Sequence, residues 1–202
     1  LKEKYPSLEE LNLAWETNHA QWDTVLKSES TKIPAAARND IEPYYYDFAN
    51  AFFSKSKKVM NEVLPNKLFL GCRCHRGPNV LGRAAAGHAD VFSVNVYDST
   101  VRAWQVPANV DMPILAGEFH IGSVDRGVPS PGLASAWNQR QRGLAFSNYL
   151  STALADPRFV GVHWFQWIDQ SAAGRKDREN HQCGFVDVTG RSYPEFVHSV
   201  AH

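Results

Sequence analysis

One carboxylate in this sequence stands where a buried strand should open into a cleft. Glu118 directly follows the apolar run at residues 112–117, and the polar residues His120, Ser123 and Asp125 come soon after it. Because an unpaired carboxylate in an apolar setting is costly, such a residue has either an ionic partner or a chemical task. The position therefore predicts a catalytic role for Glu118, with a surface or arginine-paired glutamate as the alternative.

Other short apolar runs also end in polar or aromatic residues, namely Arg73, Asn95, Tyr97, Trp164 and Trp167. If the runs are parallel strands, their carboxyl ends meet at one edge, where the functional residues of barrel enzymes lie. The aromatic side chains offer flat apolar faces on which a sugar ring can stack, although either tryptophan could equally fill a core. This edge is the predicted binding surface.

Other kinds of active site find little support. His75, His120 and His163 come from different strands and lack the spacing and the acidic companion of a metal site. No Gly-x-Ser-x-Gly motif indicates a serine hydrolase, and no glycine-rich loop after a strand indicates a phosphate site. The sequence thus predicts neither a metal nor a cofactor.

The cysteine count is also uninformative about metals. Cys72, Cys74 and Cys183 are odd in number, and the first two are too close in sequence for a zinc-binding pair. We interpret all three as buried or inactive thiols.

The charge balance argues against two classes of partner. The 202 residues include 21 basic and 21 acidic ones, and the sequence pI is about 7.2. Binding of nucleic acid or of an anionic membrane surface needs a basic footprint, which this composition lacks. The apolar run at residues 159–167 is far shorter than the roughly twenty residues of a membrane-spanning helix. We therefore expect neither nucleic acid nor a membrane as a partner.

The elements that must position these side chains follow from periodicity and turn signals. Ser7 and Glu10 form a capping box before a helix predicted to about residue 26, and a second helix with apolar residues at 45–63 ends before Pro65. Apolar runs predict strands at residues 68–73, 90–97, 113–119 and 159–169. Helices are predicted at residues 80–86, 100–105, 133–154 and 195–200. Strands apolar on both faces and separated by helices are typical of an α/β fold with parallel strands.

Four strands, all after residue 66, are half the number in a (β/α)₈ barrel, which takes about 250 residues. A four-stranded piece of a barrel would leave two sheet edges and an inner face uncovered. We therefore expect a missing partner half that precedes this chain. The alternative is a small open α/β sheet that is complete in itself.

Three segments resemble one family of enzymes. The sequence GEFHIG at residues 117–122, continuing to Asp125, Arg126 and Gly127, resembles the nucleophile strand of the β-agarases of glycoside hydrolase family 50. The segments GVHWFQWID (161–169) and ENHQCGFVDVT (179–189) are similar to the last strand and the following loop of that family. The opening YPSLEELNLAW (5–15) resembles the helix after strand four in those agarases and in the related family 42 β-galactosidases.

The resemblance implies a (β/α)₈ TIM barrel of which residues 1–202 form the C-terminal part, with strands five to eight. Glu118 matches the nucleophile of a retaining glycoside hydrolase. The general acid/base of the family follows an asparagine at the end of strand four and would lie before Leu1. Asn61 and Glu62 fall on a helical pattern and do not have that setting. The isolated chain should hydrolyse little, since the loss of general acid catalysis typically costs about 10²–10⁴-fold in rate.

The resemblance also implies the substrate and the residues that bind it. The substrate would be agarose or a related β-galactan, and so large a polymer implies an extracellular or periplasmic enzyme. Tyr97 would orient Glu118, and Trp167 would form a platform for a sugar ring. The substrate-binding candidates are Arg73, Asn95, Tyr97, His120, Asp125, Trp164, Trp167, Glu179 and Asn180.

Three alternatives remain open from the sequence. The chain could be part of a β-galactosidase of the same clan, a noncatalytic galactan-binding remnant that keeps only the aromatic rim, or a complete small α/β protein in which Glu118 is incidental.

Overall fold

The structure is a computed structural model and describes residues 1–27, 34–75, 79–106 and 110–201. Its helices are α1 (Leu8–Trp15), α2 (Trp22–Leu26), α3 (Arg38–Val63), α4 (Asn79–Ala86), α5 (Gln139–Leu154) and α6 (Pro194–Ala201). Its strands are β1 (Cys74–His75), β2 (Phe92–Asn95), β3 (Ile114–Phe119), β4 (Gly122–Ser123), β5 (Ser135–Ala136) and β6 (Phe159–Trp164).

The first predicted helix is two helices. Ser7 caps α1 as expected, since its Oγ accepts a hydrogen bond of 3.2 Å from the Glu10 N–H. The chain then leaves the helix at Glu16, which has a left-handed backbone with φ of 56°. The prediction of one continuous helix to residue 26 was therefore wrong, because apolar spacing does not register a left-handed residue between two helical segments.

The second predicted helix begins earlier than expected. Helix α3 starts at Arg38, after a 3₁₀ turn at Ala35–Ala37, and it contains Pro43. Pro43 is the sixth residue of α3 and lacks only its own main-chain N–H donor, and the helix continues through it, so it did not delay the start of the helix as the sequence suggested. The helix ends at Val63, just before Pro65, as predicted.

The main sheet is parallel, with the order β1-β2-β3-β6. The parallel α/β architecture predicted from the sequence is therefore confirmed. Two of the strand boundaries were wrong: the first strand is Cys74–His75 rather than residues 68–73, and the last ends at Trp164 rather than at residue 169. Leu68 and Leu70 are exposed, so their apolar character does not reflect a buried strand.

Two predicted helices are shorter than expected. The helix predicted at residues 100–105 is a 3₁₀ turn at Val101–Ala103. The one predicted at 133–154 begins only at Gln139, because Ser135 and Ala136 form β5, which pairs with β4.

The main core lies between the sheet and the helices that follow its strands. Phe119 at the end of β3 stacks on Tyr149 of α5, with ring centroids 3.9 Å apart, and packs edge-on against Trp164 of β6. Phe196 of α6 is fully buried in the same cluster. This packing fixes the ends of β3 and β6 relative to α5 and α6.

A second, smaller core holds the N-terminal helices together. Leu11 and Trp15 of α1 pack with Val25 and Ala37. Asp40 of α3 accepts hydrogen bonds from the Tyr5 hydroxyl (2.6 Å) and the Trp15 indole (2.8 Å), and it also pairs with Lys4. None of the helices in the described part of the chain is both long and apolar enough to cross a bilayer.

Candidate active site

Three adjacent parallel strands bring four predicted site residues together. Glu118 lies on β3, and Asn95 ends the neighbouring strand β2, where the two residues are paired in register. Tyr97 follows Asn95 by two residues, and Arg73 directly precedes β1. The site therefore rests on three adjacent strands of one sheet.

Both carboxylate oxygens of Glu118 have partners. The Asn95 amide donates to Oε2 at 2.7 Å, and the Tyr97 hydroxyl donates to the same oxygen at 2.5 Å. The Arg73 guanidinium pairs with Oε1 at 2.6 Å. Hydrogen bonds to an ionised group are shorter and stronger than neutral ones, so this arrangement holds an oriented carboxylate anion.

Tyr97 is kept protonated by its surroundings. Burial, together with its hydrogen bond to Glu118, raises the pKa of the Tyr97 hydroxyl well above its usual range. The negative charge of Glu179 adds to this upward shift of the pKa. Tyr97 is thus a permanent hydrogen-bond donor to Glu118 at any physiological pH.

Gly117 explains how Arg73 reaches Glu118. A Cβ atom at position 117 would lie 2.7 Å from both Cγ and Cδ of Arg73 and 2.6 Å from Oγ of Ser93. Only a glycine leaves room for the arginine stem to cross β3 here. The space that the Arg73 stem needs therefore explains why the residue before Glu118 is a glycine.

His120 lies behind Tyr97. The His120 side chain is buried, its Nε2 accepts a hydrogen bond from the Leu133 N–H at 3.0 Å, and its ring packs edge-on against Tyr97 at 4.9 Å. Burial, together with the nearby positive charges of His181 and Arg142, lowers the pKa of His120 to about 4. The geometry therefore places His120 as a neutral support for Tyr97.

Asp125 lies in a different network. Its carboxylate accepts hydrogen bonds from the Ser123 hydroxyl (2.8 Å) and from the main-chain N–H of Gln139, the first residue of α5 (3.2 Å). A carboxylate at a helix N-terminus is favoured by the helix dipole. The structure does not place Asp125 among the contacts of Glu118.

The two tryptophans have different surroundings. Trp164 is partly buried among Phe119, Phe146 and Phe196, and its indole donates to the Cys183 carbonyl at 2.7 Å. Trp167 is 71% exposed and stacks on Phe185 with ring centroids 5.8 Å apart. Of the two, Trp167 has the open aromatic face that a sugar ring needs.

Glu179 and Asn180 lie together, half-buried, in the last long loop. Glu179 accepts a hydrogen bond from the Gln170 amide at 3.0 Å, and it lies 3.7 Å from the Arg175 guanidinium and 4.0 Å from the His181 ring. The negative charge of Glu179 is close enough to Tyr97 to contribute to the raised pKa of its hydroxyl. Glu179 therefore lies on the Tyr97 side of the site.

Next to Tyr97 is an open cleft of about 290 Å³. It lies between residues 97–99, which follow β2, and residues 133–135, with Ile121 and Ala145 completing its lining. A cleft of this size beside Tyr97 is large enough to hold a small polar group or a sugar ring.

One buried residue near the site escaped the sequence analysis. Arg142 of α5 is fully buried, and it donates to the carbonyls of Ile121 (2.5 Å) and Gly184 (2.8 Å) and to the Gln139 amide (3.1 Å). It thereby joins the segment after β3 to the last loop. The sequence could have indicated this role, because Arg142 lies on the same helix face as Phe146 and Tyr149, and an arginine in a buried stripe needs buried partners.

The described residues contain no group of three or more His, Cys, Asp or Glu side chains that could hold a metal ion.

Comparison with known proteins identifies the relatives of this chain. No protein-family model matches it. The chain is 34% identical over 206 aligned residues to β-agarase B of Vibrio sp. (strain JT0107), an alignment that covers 98% of this chain and 22% of that protein. The solved structure of PfGH50B superposes with a TM-score of 0.78 at 36% identity, and covers 98% of this chain. The chain corresponds to a segment of the family 50 β-agarases.

A second family 50 structure agrees with this assignment. The agarase AgWH50C has a TM-score of 0.77 and 37% identity over 98% of this chain, which covers 29% of the AgWH50C chain and 30% of PfGH50B. The chain thus spans about a fifth of the curated agarase and under a third of these two structures. The predicted resemblance to family 50 is confirmed.

Proposed function

We propose that this chain is the nucleophile-bearing part of a retaining glycoside hydrolase that cleaves β-galactosidic linkages in agarose-type galactan. The observation that carries the proposal is the Glu118 carboxylate at the carboxyl end of β3, held as an oriented anion by Arg73, Asn95 and Tyr97. The similarity to β-agarase B and to the agarase AgWH50C supports the class of substrate.

The proposed chemistry needs an anionic carboxylate beneath the anomeric carbon. A retaining enzyme attacks that carbon with one carboxylate, while a second carboxyl about 5 Å away protonates the leaving oxygen. The hydrogen bonds from Asn95 and Tyr97 fix Oε2 of Glu118, so attack would come from Oε1 once the Arg73 guanidinium has shifted from it. The attack forms a glycosyl ester on Glu118, which water then hydrolyses.

The general acid/base is proposed to lie in a part of the protein outside this chain. Two carboxylates of the N-terminal helices do not have the expected setting: Glu16 is the C-cap of α1, and Glu62 is exposed on α3. Neither lies at the carboxyl end of a strand, where the second carboxyl of a barrel enzyme is expected.

The open surfaces of the sheet support a half-barrel with a missing partner half. Strands β1 and β6 lie at the two edges of the described sheet. Helix α3 also presents an exposed apolar stripe, formed by Tyr44, Phe48, Phe52, Val59 and Val63. Large exposed apolar patches mark surfaces that another element covers. We infer that the rest of a (β/α)₈ domain covers them, with β1, β2, β3 and β6 as its strands five to eight.

The binding surface is proposed to be the exposed Trp167 face together with the groups around Glu118. Sugar rings stack on such aromatic faces, and we propose that Arg73, Asn95, Glu179 and Asn180 supply the hydrogen-bonding groups of this surface. A polysaccharide substrate implies that the complete enzyme acts outside the cytoplasm, in the periplasm or the medium.

The test is a chimera in which this chain replaces the matching segment of β-agarase B. The readouts are the reducing ends released from agarose and the retention of the protein on agarose. We expect Glu118→Gln to abolish turnover while retention persists. Glu62→Gln, an identical change at an exposed position of α3, is the matched control and should leave turnover unchanged.

A second variant identifies the role of the carboxylate. In Glu118→Gly, added azide can take the place of the nucleophile, and the product should be a glycosyl azide of inverted configuration. Full turnover by Glu118→Gln would show that the nucleophile is another residue. Retention without turnover in the wild-type chimera would favour the galactan-binding remnant instead.

A further inference from the structure

The two cysteines nearest the site lie on either side of Arg73. The sulfur atoms of Cys72 and Cys74 are 3.8 Å apart, and the Cys74 thiol also approaches the Cys72 carbonyl at 3.6 Å. Cys72 is exposed and Cys74 is buried. The sequence analysis interpreted both as inactive thiols, but this contact places two sulfurs within van der Waals distance, with one open to solvent.

The two thiols lie on the same side of the chain, as the contact between their sulfur atoms shows. Cys72 and Cys74 accordingly face each other, while the Arg73 stem lies over Gly117 and its guanidinium pairs with Glu118. A disulfide needs sulfurs about 2.05 Å apart, so closure requires the two sulfurs to approach by less than 2 Å.

We propose that Cys72 and Cys74 form a reversible disulfide that clamps the backbone on both sides of Arg73 and so alters its ion pair with Glu118. The inference rests on the geometry of these residues alone and does not depend on the glycosidase proposal. A ring that encloses a single residue is strained, and strained, exposed disulfides are the ones that small thiols reduce readily.

The reaction is a thiol–disulfide exchange with a small-molecule disulfide as the oxidant. The Cys72 thiolate attacks one sulfur of the oxidant, whose S–S bond breaks and releases one thiolate. The Cys74 thiol then gives up its proton to solvent, and its sulfur attacks Sγ of Cys72, which releases the second half of the oxidant. The two cysteines lose two electrons and two protons in total, and the oxidant becomes two thiols.

The environments of the thiols set the order of these steps. Burial, together with the neighbouring Cys72, raises the pKa of the Cys74 thiol to about 12, so Cys74 is a poor first nucleophile. Exposed Cys72 is therefore the site of initial attack. Cys183 is fully buried, and burial raises the pKa of its thiol to about 11. It should stay reduced.

The test treats the folded 202-residue chain with oxidised glutathione, unfolds it, blocks the remaining thiols with a maleimide and measures the intact mass. The wild-type chain should lose two hydrogens and accept one maleimide. Cys74→Ser should instead keep glutathione on Cys72, and Cys72→Ser should stay reduced. Cys183→Ser, the matched control, should form the internal disulfide like the wild type. A wild-type chain that accepts three maleimides, retains glutathione or forms disulfide-linked dimers would overturn the proposal.

The effect on Arg73 has its own readout. In a ¹⁵N-labelled chain, the Arg73 guanidinium resonance should shift on oxidation and return when dithiothreitol is added. Arg73→Met assigns that resonance by its loss. A disulfide that forms without moving the Arg73 signal would refute the coupling between the thiol pair and Glu118.

Discussion

At the scale of single residues, the contacts of Glu118 have two roles: some orient its carboxylate, and one supplies a positive charge. Asn95 and Tyr97 both donate to Oε2, whereas Arg73 supplies the positive charge at Oε1. These contacts come from three different side chains, so they can be removed one at a time. Each removal has a different expected result.

Tyr97→Phe removes one donor and leaves the ring that packs on His120. A hydrogen bond to a charged group is worth about 1.5–3 kcal/mol, so we expect turnover by the agarase chimera to fall by roughly 10- to 100-fold. The matched control is Tyr149→Phe, whose hydroxyl donates to the Val96 carbonyl at 3.0 Å in the core. This control should reduce the free energy of unfolding but spare turnover per folded molecule. Equal kinetic losses in both variants would contradict the orienting role of Tyr97.

Gly117→Ala tests the path of the Arg73 side chain. The added methyl group would overlap the arginine stem and the Ser93 hydroxyl, so Arg73 should leave Glu118 and the Arg73 guanidinium resonance should shift. Gly87→Ala is the control, because a Cβ there meets nothing closer than 3.5 Å. An unchanged Arg73 resonance in Gly117→Ala would mean that the stem does not cross β3 at this position.

We expect the folded state to lose stability as the pH falls, because His120 is buried and neutral. Its folded pKa of about 4 lies below the ordinary value of 6.5, so the unfolded chain binds the proton first as the pH falls. The free energy of unfolding should therefore be unaffected by this group above pH 6.5 and decline by about 3 kcal/mol between pH 6.5 and 4. Urea unfolding across this range measures the decline. His120→Gln, which can still accept the Leu133 hydrogen bond, should flatten it, and an equally steep decline in the variant would exclude His120 as its source.

At the scale of elements, Asp40 links the start of the chain to α3. Burial alone would raise the pKa of its carboxyl, but hydrogen bonds from Lys4, Trp15 and Tyr5 outweigh this effect and lower the pKa to about 2. The carboxylate therefore stabilises the packing of α1 on α3 as long as it is ionised. This part of the molecule has its own small core and its own acid response.

Asp40→Asn should loosen the N-terminal helices first. The contribution of Asp40 is fully present above the unfolded pKa near 3.9 and is lost as the pH falls towards 2, which is a lower range than that of His120. Hydrogen exchange at neutral pH should accelerate in α1 of Asp40→Asn while β2 and β3 stay protected. Asp23→Asn, at an exposed site of α2, is the control. Uniform acceleration across the sheet would show that the two cores unfold as one.

At the scale of the whole molecule, the main feature is surface that the chain leaves uncovered. The sheet ends at β1 and β6, and the apolar stripe of α3 lies on the outside with Phe48 at 65% and Phe52 at 55% exposure. Exposed apolar patches of this kind promote association. The isolated chain should therefore self-associate in solution.

Replacing Phe48 and Phe52 together by serine should reduce this association. Sedimentation velocity at several concentrations measures the change as a shift of the mass distribution towards the monomer. Leu13→Ser, at a site of 83% exposure outside the stripe, is the control and should leave the distribution unchanged. A wild-type chain that stays monomeric at all concentrations would contradict the inference that the apolar stripe of α3 is normally covered by another part of the protein.

Several features could be read from the sequence because they depend on neighbours along the chain. The apolar run before Glu118 predicts a strand that ends in a carboxylate, and β3 has that form. The alternation of apolar runs and helices predicts a parallel sheet, since parallel strands need helical crossovers. The motifs around Glu118 and Trp164 also identify the family, because close relatives keep local segments recognisable.

Other features were decided only by the tertiary structure, because they depend on residues far apart in sequence. The helix face of Arg142 is visible in the sequence, but its partners, the carbonyls of Ile121 and Gly184, are not. Trp164 and Trp167 look equivalent in sequence, yet one packs in the core and the other is exposed, since only the packing of α6 and the last loop distinguishes them. The ion pair of Arg73 with Glu118 likewise requires the register of three strands and the open space over Gly117, neither of which local periodicity contains.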